Sequence, residues 1–151
     1  MSPSDPFIPL AGPDVGEREI EAVVSVLRSR HLSLGPELPA FEAAMASFVG
    51  VEHAVAVNSG TSALHLALLA LGIGEGDEVV TTPFSFIASA NAMLYVGAKP
   101  VFVDVDPRSL NLDPERIEAV LTSRTKAILP VHVFGRPAAM EPIDALADRH
   151  G

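Results

Sequence analysis

"NSGTSALHLALLALG", residues 58–72, joins five small or polar residues to a run that is apolar almost all the way round. A helix that begins there opens on Asn58, Ser59, Gly60, Thr61 and Ser62, residues that expose backbone N–H groups and hydroxyls. Two readings fit. Asn, Ser and Thr cap the free N–H groups of ordinary helices. The same free N–H groups and the positive end of the helix dipole also make an anion-binding cradle, and a glycine lets an anion approach closely.

The elements around this stretch bear on the choice. Ile20, Val23, Val24 and Leu27 recur at helical spacing between Glu17 and Arg28, and Leu38, Phe41, Met45 and Phe48 trace a second helical stripe ended by Gly50. From there strands and helices alternate. "HAVAV" (53–57), "EVVTT" (78–82), "PVFVDV" (100–105) and "KAILPVHV" (126–133) read as short apolar strands, with Val55–Val57, Val79–Thr81, Val101–Val103 and Ala127–Val131 expected in one sheet. Thr61–Leu71 is predicted to be a buried helix, "FIASANAMLYV" (86–96) a second and 139–150 another, and Asp113 followed by Pro114 has the cap and first-turn residues of one more. Continuous apolar strands separated by helical crossovers predict a three-layer α/β fold, a mostly parallel sheet with helices on both faces. Ligands of such sheets sit at the carboxyl ends of the strands, where the loop after Val57 falls. The cradle and cap readings then stand level.

Composition narrows the classes. The 151 residues are 48% hydrophobic with a formal charge of −9, no cysteine and no basic cluster. This suits a compact globular unit, argues against a nucleic-acid surface, and excludes disulfide and thiolate chemistry. The longest apolar runs are far too short to span a bilayer, and "MSPSDPFIPL" lacks the basic and apolar regions of a secretory leader, so a cytoplasmic location is expected.

Several motifs lead elsewhere and fail. "GIGEGD" (72–77) lies between a helix and a strand, the reverse of a dinucleotide-binding turn, and no Walker lysine is present. The acids of "DVD" (104–106) have no further ligand at metal spacing and read as turn caps. His65 falls in the apolar helix as a hydrogen-bonded core residue, and no Ser-His-Asp set assembles without the nucleophile elbow.

Taken together, "NSGTSALHLALLALGIGEGDEVVTTPFSFIASANAMLYVGAKPVFVDVDP" and "RTKAILPVHVFGRPAAM" closely resemble the DegT/StrS family, fold-type I pyridoxal-phosphate enzymes that mostly aminate nucleotide-linked keto-sugars. The likeness runs from "IPLAGPDVGEREIEAVVSVLRS" to the last helix. It implies that Gly60, Thr61 and Ser62 hold the phosphate of pyridoxal 5'-phosphate and that Phe86 stacks on its ring, with Phe84 in the core. It places Ser33, in the "LSLGP" segment, and His132, in "PVHVFG", near substrate; His31 stands where the family commonly has Trp, and His132 reads equally as a structural hydrogen-bonding residue.

The resemblance also implies what lies elsewhere. The acid that pairs with the pyridinium nitrogen and the Schiff-base lysine belong beyond Gly151, and Lys99 and Lys126 read as surface charges. The 151 residues therefore read as the N-terminal part of the large domain, inactive alone, without the rest of that domain or the small C-terminal domain. The complete protein is expected to be a homodimeric aminotransferase that moves an amino group from an amino-acid donor, often glutamate, to a nucleotide-linked keto-sugar in surface-polysaccharide or secondary-metabolite biosynthesis. A sugar dehydratase of the same family and a catalytically silent binding module are the alternatives.

Overall fold

The computed structural model describes residues 12–151, so the stretch read for a leader lies outside the described residues. The chain divides into two compact units, the first ending at Ala56 and the second covering Val57–Gly151. The first holds α1 (Glu17–Ser29) and α2 (Glu37–Val49). Acidic residues occupy the first turn of α1, where the helix dipole favours them, and the Glu19 carboxylate accepts the Gly16 N–H at 2.8 Å. Gly50 ends α2 as expected, donating its N–H to the Ala46 carbonyl.

The expected strand at 53–57 is not formed. A strand exists only through ladder bonds to a neighbour, and no described residue pairs with this segment. The Ala56 N–H is instead taken by the Glu42 carboxylate at 2.9 Å, and Val55 stays exposed.

The second unit carries α3 (Gly60–Ala70), β1 (Glu78–Thr81), α4 (Ala88–Tyr95), β2 (Lys99–Phe102), β3 (Thr125–Ile128) and α5 (Met140–His150). The strands form one parallel sheet in the order β2-β1-β3. β1 is central and all four of its residues are buried, as expected of a parallel strand covered on both faces. Its side chains alternate between two cores. Val79 joins Leu68, Ile73, Ala92, Met93 and Ala98 beneath α3 and α4. Val80 joins Val103, Leu112, Ile117, Ile143 and Leu146 beneath α5 and the preceding turns. Helices on both faces of a parallel sheet give the three-layer arrangement read from the sequence.

Local departures have local causes. The helix expected at Asp113–Pro114 is two 3-10 turns, Pro114–Arg116 and Glu118–Val120. Asp113 does cap the first, accepting the Glu115 N–H. The chain is already extended at Leu121, which leaves no length for an α-helix, and the three-residue period lays Ile117 and Val120 on one face of the core. β3 stops at Ile128 rather than running to 133, although the Leu129 N–H still reaches the Val80 carbonyl before Pro130 ends the ladder. α3 is helical but only Leu68 is fully buried; Leu66, Leu69 and Leu71 are exposed, so the helix is not buried throughout. "GIGEGD" is an αβ turn, with Gly72 and Gly76 at positive φ and the Asp77 carboxylate accepting the Gly74 N–H.

At the amino end of the sheet Glu78 is 2% exposed. It accepts from the Thr122 hydroxyl at 2.6 Å and the Arg124 guanidinium at 2.8 Å, and faces the Lys99 ammonium at 3.4 Å. The Thr122 hydrogen bond, then that of Arg124, holds its carboxyl down at about 2 against the opposing effect of burial. Among the described residues no helix is long and apolar enough to cross a membrane.

Candidate functional site

The start of α3 is built as both readings of the sequence require. Ser59 is extended and its hydroxyl accepts the Ser62 N–H at 3.1 Å, so Ser59 is the N-cap and Gly60, Thr61 and Ser62 are the first three helical residues. The Ser62 hydroxyl donates to the Asn58 side-chain carbonyl at 2.7 Å and lies 2.9 Å from the Ser59 hydroxyl. Ser62 is thereby committed to the turn. Asn58, read from the sequence as one of the residues opening the helix, helps fix it.

Gly60 and Thr61 are different. Among the described residues no protein group accepts their backbone N–H groups. A Cβ at Gly60 would meet no atom within 4 Å, and Gly60 is not at positive φ. Neither packing nor turn geometry asks for glycine there, although glycine weakens a helix relative to alanine. Two free N–H groups, the Thr61 hydroxyl and the positive end of an eleven-residue helix form a donor set suited to a phosphate ester.

Connectivity puts this donor set at the carboxyl end of the sheet. α3 hands over to the start of β1 through the 72–77 turn, so its own start lies toward the opposite end, where β1 runs into residues 82–87. The buried Thr82 hydroxyl accepts the Phe84 N–H at 3.1 Å, and the Ser85 and Ser89 hydroxyls sit 2.9 Å apart, which shapes the loop and the start of α4. The Thr81 hydroxyl donates to the Leu129 carbonyl at 2.8 Å and ties the ends of β1 and β3 together. Phe86 is 79% exposed and so free to meet a ligand. Phe84 is not the core residue expected; it is half exposed and packs edge-on against Phe134, ring centres 6.2 Å apart.

His132 lies in the loop after β3, exposed, with its Nδ1 accepting the Ala138 N–H at 3.0 Å. The structural role read from the sequence is therefore real. That bond sets the orientation of the ring and leaves Nε2 without a partner among the described residues. Ser33 is exposed in the turn between α1 and α2 of the first unit. His65 is half-buried and meets Tyr95 edge-on at 5.5 Å instead of sitting hydrogen-bonded in the core. Asp106 caps a turn, accepting the Arg108 and Ser109 N–H groups; the Ser109 N–H is the main cause of its lowered pKa.

That turn delivers the residue the sequence reading missed. Asn111 is 1% exposed. Its amide donates to the carbonyls of Arg136 and Pro137, each at 3.0 Å, and its carbonyl accepts the Val133 N–H at 2.9 Å. It fastens both limbs of the loop that carries His132 and Phe134.

Comparison with known proteins gives a consistent answer. The profile of the DegT/DnrJ/EryC1/StrS aminotransferase family matches residues 13–151. The spore coat polysaccharide biosynthesis protein SpsC of Bacillus subtilis is 50% identical over 145 residues, 96% of this chain and 37% of that protein. GDP-perosamine synthase of Caulobacter vibrioides is 48% identical over 146 residues, 96% of this chain and 39% of that protein. The PLP-form structure of Spr1654 from Streptococcus pneumoniae superposes with a TM-score of 0.88 at 34% identity, over 92% of this chain and 36% of that one. The chain thus spans under two-fifths of the length of the curated relatives it matches. Its three-layer parallel arrangement is the fold-type I aminotransferase architecture.

Proposed function

This chain belongs to the DegT/DnrJ/EryC1/StrS aminotransferase family, and on that premise we propose that it is the front part of the large domain of a pyridoxal-phosphate-dependent sugar aminotransferase. The observation that carries the reading is the start of α3, where the N–H groups of Gly60 and Thr61 have no partner among the described residues and packing does not require a glycine at position 60. The complete protein takes an amino group from an amino-acid donor, glutamate in our reading, and passes it to a nucleotide-linked keto-sugar. It acts as a cytoplasmic homodimer, and the Schiff-base lysine and the acid facing the ring nitrogen lie outside these 151 residues.

The residues present bind and orient. The Gly60 and Thr61 N–H groups and the Thr61 hydroxyl donate to the phosphate, whose charge the α3 dipole favours. Ser62, already bonded to Ser59 and Asn58, holds the turn in shape and adds its dipole. Phe86 covers one face of the ring and excludes water from it. His132, its orientation set by the Ala138 N–H, contacts the sugar through Nε2. Ser33, in the first unit, is assigned to substrate by the family resemblance alone. The cofactor, when bound, supplies the electron sink on which amino transfer depends.

The test is a titration of the full-length protein with pyridoxal phosphate. Thr61→Ala is expected to weaken binding by about 1–3 kcal/mol, the loss of a charge-assisted hydrogen bond. An unchanged affinity would contradict the phosphate-holding role.

A further inference from the structure

One aromatic residue at the carboxyl end of the sheet is held against its own conformational preference. Phe134 has φ 53° and ψ 30°, in the left-handed region that bulky L-residues avoid. The next residue, Gly135, has φ 78° and accepts that conformation freely. If a turn were all that was needed, glycine or asparagine would serve at 134 as well. Burial does not compensate the ring, which is 87% exposed.

What keeps the conformation is the frame on either side. Val133 is buried and its N–H is fixed by the Asn111 carbonyl, while the Asn111 amide holds the Arg136 and Pro137 carbonyls. The Ala138 N–H is fixed by His132. Residues 133 and 136–138 are thus pinned, and the backbone between them has no room to relax. Strain sustained by a surrounding network is characteristic of ligand clamps and active sites. The ring also has a defined place: it packs edge-on against Phe84, two residues before Phe86 in the loop after β1.

We propose that Phe134 is a ligand-contacting residue, the wall on the β3 side of the site whose phosphate is held at the start of α3. The ligand is a planar ring bearing a phosphate ester, and Phe134 presents its free face or edge to that ring or to what the ring carries. This rests on the reading of the α3 start as a phosphate site.

Pyridoxamine phosphate is the probe, because its amine cannot form the covalent link to a lysine and its affinity reports contacts alone. Full-length protein is titrated with it by fluorescence, and the melting temperature of each unliganded variant is recorded. Phe134→Gly relieves the strained backbone and removes the ring. It is expected to melt within a few degrees of the parent or above it, and to bind the probe about three- to tenfold more weakly. Phe134→Tyr keeps the ring and is expected to bind within twofold of the parent. A Phe134→Gly variant that binds as tightly as the parent would overturn the proposal, as would one that melts far lower, since the ring would then serve packing. Thr61→Ala separates the two readings. Weaker binding by Thr61→Ala with parental binding by Phe134→Gly sinks the aromatic wall alone, and parental binding by Thr61→Ala sinks the phosphate site itself.

Discussion

Replacing Asn111 with leucine removes three hydrogen bonds from a fully buried position, and the larger leucine side chain adds an overpacking cost to that loss. A typical hydrogen bond contributes about 0.5–1.5 kcal/mol net, so the three together are worth about 2–4 kcal/mol. The groups left behind fare unequally. Arg136 and Pro137 are exposed and their carbonyls can turn to water, whereas Val133 is buried and its N–H is left without an acceptor. That orphaned donor puts the expected loss in the upper half of the range. For a chain of about 150 residues, about 1 kcal/mol moves the melting temperature by 2–4 °C, so the variant should melt roughly 6–16 °C lower by circular dichroism. Asn111→Asp sharpens the test, because a carboxylate facing two carbonyls has no proton to donate. Its folded-state pKa is raised above the ordinary aspartate value of about 4, so its deficit should be full at neutral pH and shrink as the group protonates in acid. A leucine variant within about 1 kcal/mol of the parent, or an aspartate variant indifferent to pH, would refute the reasoning.

Two other perturbations probe the frame. Glu78 titrates near 2 in the folded chain and near 4.3 when unfolded, so its contribution is complete above the unfolded value and lost as pH falls through the folded one. Glu78→Gln should therefore melt below the parent at pH 7, with the gap closing between pH 5 and about 2; a gap that ignored pH would show that the charge plays no part. Met93 is fully buried between α4 and the sheet, and Met93→Ala should lower stability by about 2–5 kcal/mol in urea unfolding, a cavity cost that a flexible surface residue would not show.

How much of this was legible in the sequence depended on how far each residue's partners lie along the chain. The helices and the three strands announce themselves through local periodicity. Asp113 and Ser59 act as caps within three residues of what they cap, so their roles follow from short spacing. The segment 53–57 has strand composition, yet pairing is a property of two segments, and none of the described residues supplies the second. Asn111 and Phe134 were invisible for the same reason. An asparagine after "DPRSL" reads as a turn former, and its partners stand 22 to 26 residues away. Phe134 looks like any apolar residue beside a glycine; only its φ angle and exposure set it apart. The proposal of a phosphate site starts from the opening of a helix, which is a local feature, while the assignment of Gly60, Thr61, Ser62 and Phe86 to the cofactor rests on the family resemblance.

The two central valines of β1 have a consequence for how the sheet finds its pairing. Val79 and Val80 face opposite cores and are the same residue. If β1 slid by one position against its neighbours, one valine would take the other's place and each would face the opposite core, so the valines alone would scarcely register the error. The residues that tell the two alignments apart are polar. After a slip Glu78 would turn from Arg124, Thr122 and Lys99 toward the apolar layer, and the Thr81 hydroxyl would lose the Leu129 carbonyl. In this strand greasy side chains supply cohesion while one carboxylate and one hydroxyl do the proofreading, and the loops that emerge at the far end inherit their positions from that check.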